Sequence, residues 1–412
     1  MFIRRHWIPP GALIFAQLSH GASWLLLVWA GISGSVWALD SLAVAWIHTV
    51  ALGWATTAAA SVLMHVVPRF TGTRWRLENM ARRSVGVLAA GVVAFVGTLL
   101  LWPHLSIFGA ALIVLALLTF TTAALATLQP AFRGERTERA IARALAITLL
   151  FLLVTALLGF ALAFLISGYH VPAWVAALPA AHASLGMFGW LSLLIFGVSA
   201  RTVRPITGNK SRFPAANIAV GSLTLLGVPF LAIGLAGVSW LVWPGAILCG
   251  IAAVAYILDV IDILRRATVP HRTPQAFLLA GVLWLACGLI IGAGVLRGQS
   301  WQLAYGFVFL AGWIGQMINA HIYQIGVRLL ITIYSGADDK SRPQSVLDAH
   351  LSWTSFALFQ LAVAGVTGGL LAQNALAVTL GGILGAIGWI AMMANLAYAR
   401  EKAMRPATIS LL

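Results

Sequence analysis

The sequence predicts an all-α integral membrane protein, a polytopic bundle of about twelve transmembrane helices with both termini cytoplasmic. Three observations predict it. The 412-residue chain is 61% hydrophobic and 8% charged, with a mean hydropathy of +0.96, which leaves too little polar surface for a soluble domain of that length. A helix needs roughly 20 mostly apolar residues to cross the hydrocarbon core, and about twelve such windows recur, near 11–34, 41–68, 84–102, 106–129, 144–168, 179–200, 216–235, 239–264, 276–296, 303–333, 347–372 and 376–399. The basic residues, finally, crowd into alternate connections. Helices are required because lipid offers no water to open backbone groups, and the alternation of a lipid-facing barrel strand is absent.

Taken in order, the elements explain the charge. The N-terminal MFIRRHWIPP has a signal-peptide flavour but no clear small-residue cleavage site, and His20 interrupts the apolar run, so it reads as a retained first helix. Arg4 and Arg5 precede that span. Arg69, Arg74, Arg76, Arg82 and Arg83 follow the second, which is expected to stop at Pro68. Arg133, Arg136, Arg139 and Arg143 follow the fourth, and Arg201, Arg204, Lys210 and Arg212 the sixth. Arg265, Arg266 and Arg272 follow the eighth, Arg328, Lys340 and Arg342 lie at or after the end of the tenth, and Arg400, Lys402 and Arg405 close the chain. Arg297 alone falls in a connection of opposite parity. The bias orients the chain by the positive-inside rule and accounts for the net charge of +15 without nucleic acid as a partner. No linker divides the sequence, so residues 1–412 are expected to form a single transmembrane helical domain. Cys249 and Cys287 fall within the eighth and ninth spans and read as reduced core residues.

One internal echo stands out. The second span reads HTVALGWATTAAASVLMHVVPRFTG from His48, and the sixth reads HASLGMFGWLSLLIFGVSARTVRPITG from His182. Both begin with histidine at the outer end, carry Gly-Trp soon after (Gly53-Trp54, Gly189-Trp190), and leave through Arg, Pro and Thr-Gly, with equal spacing from Trp to the closing Gly. The 40 glycines put small faces on helices, which suits close packing in lipid and would also leave room for a flat cofactor.

With the topology set, each histidine acquires a depth at about 1.5 Å per residue. His48 and His182 form an outer pair. His65, His321 and His350 form an inner set, and His20 lies near the middle of the first span. An intramembrane imidazole costs free energy unless it is bonded or ligating, and neutral imidazole is a favoured ligand for haem iron and copper. His6, His104, His170 and His271 fall in loops or at the surface. Acidic residues within spans reduce to Asp259 and Asp262, read as interfacial partners of Arg265 and Arg266; so few core carboxylates argue against coupled proton pumping. Trp7, Trp24, Trp37, Trp102, Trp174, Trp240, Trp243 and Trp301 lie near span ends as an interfacial belt. Trp54, Trp190, Trp313 and Trp353 lie deeper, where they could flank a macrocycle.

On the two echoed spans, the chain resembles the NnrS family of twelve-helix bacterial membrane haem proteins and, more distantly, haem-copper oxidase subunit I. The resemblance implies haem b, and copper as a further metal, in nitric oxide response or denitrification at the bacterial inner membrane. His48 and His182 inherit ligand candidacy from it; His321, His350 and His65 are candidates for a second site. Adjacent histidines and a His-Pro-Glu segment are missing, against an oxygen-reducing terminal oxidase. The expected function is to bind, sense or turn over a small diatomic ligand such as nitric oxide, with an electron donor as possible partner and the lipid bilayer around it. The rivals are a secondary transporter and a factor delivering haem or copper to an oxidase.

Overall fold

The computed structural model describes residues 10–35, 39–270, 272–336 and 341–404. Arg4, Arg5, His6, Trp7, Trp37, His271, Lys340 and Arg405 lie outside them. Among the described residues the structure is helical with no strand, and twelve helices are long and apolar enough to cross a membrane. They are α1 (Gly11–Ser33), α2 (Ser41–Thr71), α3 (Glu78–Leu101), α4 (Pro103–Arg133), α5 (Arg136–Ile166), α6 (Pro179–Ser199), α7 (Ala215–Leu235), α8 (Ser239–Arg265), α9 (Arg272–Leu296), α10 (Gln302–Tyr334), α11 (Ala349–Leu371) and α12 (Ala375–Met404). Several extend past the apolar windows. α3 begins at Glu78 and α5 at Arg136, because a helix need not end where its hydrophobic run does. Arg and Glu are good helix formers, and long charged side chains reach water from the last turn. In α3, Glu78 and Arg82 pair one turn apart at 2.6 Å.

The expected stop at Pro68 is corrected: α2 runs through it to Thr71. Proline supplies no N–H to the carbonyl four residues back, which here belongs to Met64. The buried Trp75 replaces that donor, its Nε1–H reaching the Met64 carbonyl at 2.6 Å. The closing Thr-Gly of the echo also has a local explanation. Gly72 and Gly208 both adopt left-handed backbone (φ +65° and +80°) at helix ends, a conformation glycine takes without steric cost. The preceding threonines bond back one turn, Thr71 to the Val67 carbonyl and Thr207 to the Val203 carbonyl.

The chain falls into two compact units. The first holds α2–α7, α1 up to Ser23 and α8 up to Asp259; the second holds α9–α12, the rest of α1 and α8, and residues 201–211. Within the first, α3 packs closely on α4: a Cβ at Gly109 would run into the backbone of Phe95. In the second, α12 packs its glycines on α11 and α1, with Gly381 against Val366 and Gly385 against the ring of Trp24. Trp24 is therefore a buried core residue and not part of the interfacial belt. Trp102, Trp174, Trp240 and Trp243 are exposed, as a belt requires. Cys249 is buried, whereas Cys287 faces outward. Asp262 pairs with Arg266 at 2.5 Å, and Asp259 is buried.

Three helices are interior. In their most apolar stretches 72% of α2, 56% of α6 and 78% of α10 is buried, against 28% of α5. These are the second, sixth and tenth spans, one in every four.

Candidate histidine site

The same three helices share a local distortion. Each winds into wider π-helical turns, at Thr49–Thr56 in α2, Leu185–Ser192 in α6, and Val308–Ile314 and Ile322–Gly326 in α10. Such turns shift the hydrogen-bond register to five residues and are frequent at functional sites. Side chains take up the register change: Thr57 Oγ1 donates to the Leu52 carbonyl and Gln316 Nε2 to the Ala311 carbonyl, each five residues back. The Gly-Trp of the echo lies inside the turns of α2 and α6, and a third copy, Gly312-Trp313, lies inside those of α10. The third copy was readable in the sequence at the same four-helix interval. It escapes notice because no histidine precedes it at the outer end.

His48 is the residue immediately before the π turns of α2. Its Nδ1–H donates to the Val44 carbonyl at 2.8 Å. A carbonyl only accepts, so the proton sits on Nδ1 and Nε2 keeps its lone pair. This is the tautomer of a metal-ligating imidazole, whose other N–H is held by a carbonyl or carboxylate. His182 in α6 is held likewise, its Nδ1–H donating to the Thr155 carbonyl of α5 at 3.0 Å. Gly159, one turn further along α5, makes that approach possible: a Cβ there would lie 2.8 Å from His182 Cε1. The Phe95 ring of α3 meets His48 edge-on at 5.1 Å.

The structure brings this pair together. The His48 and His182 rings lie 6.1 Å apart, centre to centre, with planes 18° from parallel. A metal–nitrogen bond is about 2 Å long and an imidazole centre lies about 1 Å beyond its nitrogen, so two imidazoles on opposite sides of one ion have centres about 6 Å apart. The observed separation suits that arrangement. Below the pair, Trp190 Nε1–H donates to Thr56 Oγ1 at 2.9 Å, tying α6 to α2. Trp54 stacks on His20 of α1 at 3.6 Å, with planes 3° from parallel.

His321 repeats the device of His48. It too directly precedes π turns, and its Nδ1–H donates to the carbonyl four residues back, Met317, at 2.6 Å. Its Nε2 is buried and has no hydrogen-bond partner among the described residues. His65 is half-buried in α2, and His350 is exposed in the first turn of α11. Trp313 is buried like Trp54 and Trp190, but Trp353 is exposed and does not line the interior. Among the described residues no three of His, Cys, Asp and Glu converge on one point. A haem brings four nitrogens of its own and needs only one or two protein ligands, so these histidines fit haem better than a copper ion that takes three protein donors.

No protein-family model matches the chain, and no curated protein matches it.

Proposed function

We propose that this chain is a multi-pass haem protein of the bacterial inner membrane that binds, senses or turns over a small diatomic ligand such as nitric oxide. The observation that carries the reading is the His48–His182 pair, two near-parallel imidazoles at 6.1 Å with both Nδ1 protons committed to backbone carbonyls. The resemblance of the two echoed spans to the NnrS family supports it. His48 and His182 are the ligands of one b-type haem, and His321, with its bare Nε2, is the ligand of a second iron site.

The protein's part is orientation and burial. The Val44 and Thr155 carbonyls fix the tautomer and angle of the paired rings, and the Met317 carbonyl does so for His321. Gly159 keeps the space that the His182 ring fills, and Phe95 walls His48. A haem held by His48 and His182 would supply electron transfer, and one held by His321 would supply binding of the diatomic ligand. Electrons would come from a donor partner. Copper would need donors beyond the convergent histidines.

The test is the visible spectrum of purified protein, oxidised and dithionite-reduced, with metal analysis on the same sample. The expected result is a Soret band, sharp reduced bands and iron, with a further shift on adding nitric oxide. Colourless, metal-free protein from a haem-replete host would overturn the reading and favour a transporter.

A further inference from the structure

Orienting a chain by charge asks only that basic residues lie in the inner connections; it does not ask their backbone to hold a shape. In the second unit, two stretches of inner connection are nevertheless laced into one platform. Residues 204–207 form a single helical turn that buries Ile206 and Thr207 and leaves Arg204 exposed. The Thr207 carbonyl accepts from the backbone N–H of Thr268 at 2.8 Å and of Val269 at 3.4 Å. Gly208 lies so close that a Cβ there would strike Thr268 Oγ1. Asn209 Nδ2 donates to the Arg266 carbonyl, and Arg266 Nη2 donates to the Lys210 carbonyl at 3.3 Å. From α9, Gln275 Nε2 donates to the carbonyls of Ile206 at 3.0 Å and Val269 at 2.7 Å, so one side chain clamps both stretches.

The platform carries cations from both. Arg204, Lys210, Arg265 and Arg272 are exposed, and none of the four has an acidic partner among the described residues, whereas Arg266 is paired with Asp262. Like charges gathered on a fixed surface repel one another, and a bound anion relieves that cost. The helix that Arg272 opens says which kind of anion. Further along α9, Leu279, Leu283, Cys287 and Ile290 are all exposed, and their spacing from Arg272 is that of one helix face. An apolar stripe therefore leads from the cation into the membrane. A phospholipid uses both head site and stripe; a soluble anion uses only the first.

We propose that this platform binds an anionic phospholipid of the inner leaflet, its phosphate held among Arg204, Lys210, Arg265 and Arg272 and an acyl chain lying along the exposed stripe of α9. Basic residues beside a membrane attract anionic lipid in general; here the clamp fixes where they stand. The site is independent of the haem reading.

Native mass spectrometry of the full-length protein in detergent tests it, with phosphatidylglycerol and phosphatidylcholine of identical acyl chains added in turn. The expected result is several-fold greater retention of phosphatidylglycerol, falling to near parity in the combined Arg204→Gln, Lys210→Gln, Arg265→Gln and Arg272→Gln variant. The preference should persist when as many cations are removed elsewhere, by Arg133→Gln, Arg136→Gln, Arg139→Gln and Arg143→Gln together. It should weaken in Gln275→Leu, which keeps every charge but opens the clamp. Equal retention of the two lipids overturns the proposal, as does a preference that survives loss of the four cations, falls as far in the control variant, or is untouched by Gln275→Leu. Displacement of the lipid by excess glycerol phosphate would assign the cations to a soluble phosphate ester and overturn it too.

Discussion

His182 reaches across to α5, donating its Nδ1 proton to the carbonyl of Thr155 at 3.0 Å, and it can do so because Gly159 presents no side chain. The ring therefore takes its orientation from a neighbouring helix, whereas His48 takes its own from Val44 in the same helix. The two ends of the pair are held by different means and respond differently to substitution.

Gly159→Ala puts a methyl 2.8 Å from His182 Cε1. The ring must tilt, and overpacking of this kind costs about 1–3 kcal/mol. Thermal unfolding in nanodiscs should show that loss, together with a changed Soret band. Gly97→Ala, where a Cβ meets nothing within 4 Å, should leave both unchanged.

Trp75→Phe removes the donor that serves the Met64 carbonyl beneath Pro68. A buried acceptor left unpaired costs about 1–3 kcal/mol. In a Pro68→Ala background the restored N–H at residue 68 serves that carbonyl, so Trp75→Phe should cost measurably less there. A double-mutant cycle reads the difference; equal costs in both backgrounds would refute the substitution of one donor for the other.

Thr56→Val takes away the acceptor of the Trp190 indole. Interhelical hydrogen bonds in membranes average about 0.6 kcal/mol, so a small loss of stability with the reduced spectrum intact is expected. Loss of the spectrum would make this contact part of the cofactor site.

His321→Ala should abolish the spectral shift produced by nitric oxide while the bands assigned to His48 and His182 persist. An unaltered shift would remove His321 from the ligand-binding site.

Much of this was readable in the sequence, for identifiable reasons. Hydropathy windows gave the twelve spans because lipid imposes one length on every helix, and the parity of the arginines gave each histidine a depth, which is how His48 and His182 emerged as a pair. Depth says nothing about azimuth. His350 and Trp353 fall at suitable heights but on exposed positions of α11. Gly159 could not be found, because its role exists only where α5 meets the His182 ring. The Trp75 bond was hidden for a similar reason: proline reads locally as a stop, and the donor that lets α2 continue lies eleven residues from Met64.

The central claim is that His48 and His182 ligate one haem iron. Electron paramagnetic resonance of the oxidised protein tests it most directly. The account predicts a low-spin ferric signal, as two strong imidazole ligands produce, that disappears in both His48→Ala and His182→Ala. A low-spin signal that survives in either variant, or a haem-free protein, would contradict it.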